Sequence, residues 1–90
     1  MPSYLVETYL SRGTAGERAA REKRARLASE EQSRDRTAVR FEQSIHIPED
    51  ELCFFVFRAD SSIDVVLVAQ RAQLEPLRIV EMAPDQEEEK

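Results

Sequence analysis

The stretch 41-FEQSIHIPEDELCFFVFRAD-60 decides how this chain folds. It holds the one histidine, His46, and the one cysteine, Cys53, on either side of the acidic turn Pro48-Glu49-Asp50-Glu51, with four of the six aromatic residues. Before the turn, residues 37–47 alternate as a strand does. Val39, Phe41, Ile45 and Ile47 share one face, and Arg40, Glu42, Ser44 and His46 share the other. Pro48 has no N–H for a ladder and ends the strand. After the turn, residues 52–58 are apolar on both sides, with Leu52, Phe54 and Val56 on one face and Cys53, Phe55 and Phe57 on the other. A strand of this kind belongs in the middle of a sheet covered on both faces.

Working outward, residues 4–10 (YLVETYL) have the β-branched and aromatic character of a first strand. Residues 11–13 break it, and Thr14 with Glu17 three positions on has the form of a capping box. The segment to about residue 33 is rich in Ala, Arg, Glu and Lys, all good helix formers. Its apolar side is small, formed by Ala19, Ala20, Leu27 and Ala28, which suits a helix lying close on a sheet. Asp60-Ser61-Ser62 then offers an N-cap. The run Val65-Val66-Leu67-Val68 has strand propensity, but Ile63, Val66, Leu67, Gln70 and Leu74 follow a helical face, and the reading is helix. Pro76 ends it, and residues 77–82 form the last strand. The order strand–helix–strand–strand–helix–strand predicts an α+β, ferredoxin-like βαββαβ fold: a four-stranded antiparallel sheet with two helices on one face. It occupies residues 1–83 as a single domain, and residues 84–90 read as an acidic flexible tail.

Ninety residues suffice for one domain, and a chain this short buries only about two-thirds of its unfolded surface. Charged residues make up 34% and hydrophobic residues 41%, a globular balance with no apolar run long enough to span a membrane. The net charge of −5 and pI near 4.9 argue against nucleic acid as a partner. The local basic run 18-RAAREKRAR-26 reads as a solvated helix face, with Glu17–Arg21, Glu22–Arg26 and Arg26–Glu30 at four-residue spacing. No signal-like N-terminus is visible and a single cysteine fits a reducing compartment, so the cytoplasm is the expected location.

Several segments resemble the domain-of-unknown-function 4242 family: YLVETYL near the start, SIHIPEDELCFFVFRADSS in the hairpin and RIVEM at the end. The resemblance runs over roughly residues 3–82. It implies a ferredoxin-like fold, dimeric assembly and, through an actinobacterial nickel-binding member, nickel. The family's Gly-Leu-Pro or Gly-His-Pro bend after the second helix reads Gln73-Leu74-Glu75-Pro76 here, and the nickel ligands of that member find no residue-by-residue match.

A loop of four residues, Pro48 to Glu51, would set Ile47 opposite Leu52 and His46 opposite Cys53, about 5 Å apart. Nitrogen and sulfur donors suit nickel or zinc, and Glu42 on the same strand adds a carboxylate. Glu42, His46 and Cys53 are therefore the candidate metal ligands, on the sheet face away from the helices. That open face, with Phe55 and Phe57 near its centre, is expected to join two copies in a homodimer. Alternatively, Cys53 is a small buried hydrophobe and His46 a polar rim residue. The function expected is a binding protein for a metal ion or small ligand. The rival is a small cofactor-free oxygenase or isomerase with a pocket between helices and sheet, lined by residues such as Tyr4, Tyr9, Phe41 and His46. No phosphate-binding loop is available, since the two glycines, Gly13 and Gly16, lie near no lysine-bearing loop.

Overall fold

A computed structural model describes residues 1–83; the acidic tail expected at 84–90 lies outside the described residues. Strands β1 (Ser3–Tyr9), β2 (Val39–Ile47), β3 (Leu52–Ala59) and β4 (Arg78–Glu81) form one antiparallel sheet in the order β2-β3-β1-β4. Helices α1 (Arg18–Asp35) and α2 (Ser62–Arg71) pack on one face of it, giving the ferredoxin-like arrangement. The most apolar strand, β3, is central, as its two apolar faces require. Residues 62–71 are helix despite their β-branched run.

The α-helix starts later than the capping box suggested. Arg12–Glu17 is a 3₁₀ turn, opened by the Ser11 hydroxyl accepting from the Gly13 N–H, and Thr14 is non-helical within it. The inward faces of both helices also differ from the apolar pattern. In α1 the buried residues are Ala25, Ala28, Ser29 and Gln32, while Leu27 is exposed. In α2 they are Val65, Val68 and Ala69, with Ile63 and Val66 turned outward. Small side chains on α1 let the helix sit over large ones on the sheet, and those large ones are Phe55 and Phe57.

This reverses the expected facing of β3. Cys53, Phe55 and Phe57 are fully buried against the helices together with Tyr4, Val6, Val65 and Val68. Leu52, Phe54 and Val56 take the open face instead. A strand apolar on both sides carries no sign of its own, so its facing is fixed by the neighbours. A β-bulge supplies the second correction. The β2–β3 register runs Phe41↔Phe57 and then Gln43↔Val56, leaving Glu42 as an extra residue. One inserted residue exchanges the faces of everything beyond it. Val39 and Phe41 therefore point to the helices, whereas Ile45 and Ile47 point to the open face and Ser44 and His46 to the helix side.

The open face can be read row by row from the register. Val80, Leu5, Val56 and Gln43 cross it in one row, followed by Arg78, Glu7, Phe54 and Ile45, and then by Tyr9, Leu52 and Ile47. The Arg78 Nε lies 2.7 Å from the Glu7 Oε1 at one side of this apolar surface. Arg58 and Arg40 lie opposite each other at its far end.

Candidate functional site

His46 lies directly opposite Cys53 in the β2–β3 ladder, with Ile47 opposite Leu52, so the loop does have four residues. It closes through a 3₁₀ turn over Pro48–Asp50 and a left-handed Glu51 (φ 55°), whose carboxylate accepts from the Arg12 N–H at 3.0 Å. The His46–Cys53 pair faces the helices. This corrects the expectation that it would lie on the open side, and the cause is the bulge at Glu42 together with the reversed facing of β3.

The pair sits under the first turns of α1, within a polar layer that the sequence pattern did not reveal. Thr8, opposite Cys53 on β1, donates its hydroxyl to the Cys53 carbonyl at 2.6 Å. Arg21 Nη1 donates to Thr8 Oγ1 at 3.3 Å and to the Tyr9 carbonyl at 2.9 Å, while Nη2 lies 3.8 Å from the Glu17 carboxylate. Arg18 donates Nε to Ser44 Oγ at 3.0 Å and Nη2 to the Ser44 carbonyl at 3.2 Å. The Ser44 hydroxyl in turn donates to Glu22, which also pairs with Arg18. Arg18, Arg21 and Glu22 share one face of α1 with Ala25. The run read as a solvated face therefore turns one of its sides inward. The available signal was the spacing 18, 21, 22, 25, 28, 29, 32, an inward stripe drawn in small and polar residues, which a search for apolar periodicity passes over.

Burial pushes the Cys53 thiol above its ordinary value, with Arg18 and Arg21 pulling it down and Glu22 pushing it up. Desolvation wins, so the thiol is protonated at neutral pH. A catalytic cysteine needs the opposite, an accessible thiolate. The His46 Nε2 is buried and has no hydrogen-bond partner among the described residues. Glu42 is exposed at the bulge and four residues from His46, roughly 13 Å along a strand, so it does not join the pair. Among the described residues no group of three or more His, Cys, Asp or Glu is placed to hold a metal ion. Two donors are half of the four that a structural zinc site uses.

A second feature lies between the helices. A groove of about 620 Å³ runs between the N-terminal half of α1 and the segment that leaves α2, with Arg21 and Arg24 among its lining residues. Of the aromatics expected to line a pocket, Tyr4 is buried in the core and Tyr9 is exposed on the open face. Phe41 packs beside Phe57 with Arg26 over its ring, and it lines a separate groove between α1 and β2. No described helix is long and apolar enough to cross a membrane.

Compared with known proteins, the chain matches no family model and no curated protein. Among solved structures it is similar to the protein SCO4226 from Streptomyces coelicolor A3(2), with a TM-score of 0.70 at 19% identity, over 92% of this chain and 98% of that one. At this identity the likeness extends to the fold.

Proposed function

We propose that the chain is a small binding protein that works as a homodimer joined through its open sheet face, as its resemblance to the domain-of-unknown-function 4242 family implies. The observation that supports this reading is the composition of that face. Leu5, Leu52, Phe54, Ile45, Ile47 and Val80 lie around the buried Val56 on the side opposite both helices, and Ile45, Ile47 and Val80 are exposed. Exposed apolar side chains grouped on one sheet face suit an association surface. A two-fold copy of the same patch is the simplest surface to cover it, because each row meets its own equivalent. Sedimentation velocity at micromolar concentration is expected to give twice the chain mass of 10.4 kDa. A monomer across the micromolar range removes the proposal.

A binding role is preferred to catalysis because Cys53 is sealed and protonated, and because its two neighbouring guanidiniums are already occupied by protein acceptors. Metal binding is the second reading, favoured by one observation: the buried, unpartnered Nε2 of His46 beside Cys53. Nickel or zinc suits these donors. In a dimer joined through the open faces the two pairs lie on opposite outer layers, so each chain would have to fill its own site. Titration calorimetry with nickel and zinc is expected to give one-to-one heat for the wild type and none for His46→Ala. Absence of heat, or equal heat in the variant, ends the metal reading and leaves the dimer untouched.

A further inference from the structure

The groove between α1 and the α2–β4 connection points to a second site, and we propose that it binds a small organic monocarboxylate. Its key residue is Arg24. Six ion pairs occur among the described residues, and Arg24 takes part in none of them. Of the described cationic side chains outside those pairs, Arg24 is the one that is not exposed. Its Nε donates to the Ala72 carbonyl at 2.8 Å, at the C-terminal end of α2. That bond fixes the plane of the guanidinium, which lines the groove. A guanidinium held in this way presents the two-pronged donor that carboxylates take up.

The remaining lining sets the class of ligand. Pro76 supplies an exposed apolar edge above the buried Ala69 and Leu74, and a volume near 620 Å³ is in the range of small-molecule sites. Arg21 and Arg24 carry two positive charges, while Glu17 and Glu75 place two negative ones around the same groove. This balance admits a single anionic group and repels polyanions such as nucleotides. Glu17 is already paired with Arg21, which leaves Arg24 as the anchor.

The backbone holds this rim in an uncommon conformation. Gln73 (φ 57°) and Glu75 (φ 54°) are both left-handed without being glycine. Gln73 is explained by the helix end: the Leu74 N–H bonds to the Ala69 carbonyl at 3.0 Å and the Gln73 N–H to the Gln70 carbonyl at 3.1 Å, the Schellman pattern. Glu75 has no such explanation, and it precedes Pro76, where extended backbone is preferred. Strained residues of this kind gather at ligand sites. The site is on the helix layer and does not rest on the dimer or on metal binding.

Backbone amide shifts in ¹H–¹⁵N spectra test the proposal, with sodium benzoate as the probe at low salt. Benzoate is expected to shift the amides of residues 69–75 saturably, while benzamide, its neutral counterpart, leaves them in place. Arg24→Gln is expected to weaken benzoate at least tenfold with the spectrum still that of a folded protein. Glu75→Gln, which leaves the Ala72 contact alone, is expected to tighten it severalfold and decides the matter if Arg24→Gln fails to fold. The proposal is overturned by any of four results: no saturable shift with benzoate, equal shifts with benzamide or with inorganic phosphate, undiminished binding in folded Arg24→Gln, or no tightening in Glu75→Gln.

Discussion

Phe55→Arg is expected to abolish the folded state, while the same change one residue earlier, Phe54→Arg, leaves a folded monomer. Phe55 is fully enclosed beneath the helices, with Phe41 at a ring-centroid distance of 6.2 Å. Removing its ring costs about 3–5 kcal/mol as a cavity. Enclosing an unpaired guanidinium adds several more. A domain of this size has roughly 5–13 kcal/mol of stability in total, so no cooperative melting transition should remain in circular dichroism. Phe54 is half-buried on the open face and lies opposite Glu7 on β1. An arginine there faces a carboxylate within its own chain, which favours the monomer fold, but puts a charge into the proposed dry interface. The expected outcome is a near-native melting curve with sedimentation at the single-chain mass. A folded Phe55→Arg would show that the facing of β3 is wrong. A dimeric Phe54→Arg would show that the open face is not the interface.

This pair of variants also marks where the sequence became ambiguous. Element order, the central place of β3 and the pairing of His46 with Cys53 were all legible, because propensity, turn chemistry and loop length act locally. Which side of the sheet faced the helices was not. Phe54 and Phe55 are the same residue type on opposite faces, and nothing in residues 52–58 distinguishes core from open surface. The alternation in β2 seemed to decide it. However, Glu42 is extra to the ladder, and the apolar pairs Val39/Phe41 and Ile45/Ile47 serve different faces. A bulge leaves no mark in the composition of a strand, so its effect on facing emerges only when both partners are placed. The candidate site was half legible for the same reason. His46 and Cys53 are brought together by local register, whereas their true neighbours, Arg18, Arg21 and Glu22, come from a helix whose charged residues resemble any solvated surface.

The same inward stripe of α1 leads to the other large expected effect, at Gln32. Arg18, Arg21 and Glu22 each satisfy their polar atoms through the sheet, and Ser29 donates its hydroxyl back to the Ala25 carbonyl at 2.8 Å. Gln32 is fully enclosed one turn further on, and neither its Oε1 nor its Nε2 has a partner among the described residues. Each buried polar atom left without a partner costs about 1–3 kcal/mol. Methionine has a similar length, volume and helix propensity, and its thioether demands no hydrogen bond. Gln32→Met is therefore expected to stabilise the protein by about 2 kcal/mol, raising the melting temperature by roughly 10 °C at this chain length. Ser33→Ala serves as the opposite control. Its hydroxyl donates to the Val39 carbonyl at 2.9 Å and accepts from the Val39 N–H at 3.0 Å, so its loss should cost about 1 kcal/mol. A lower melting temperature for Gln32→Met would mean that the amide is held by partners inside the core, and Gln32 would then belong with Arg18, Arg21, Glu22 and Ser29 as a stripe residue that uses its hydrogen bonds.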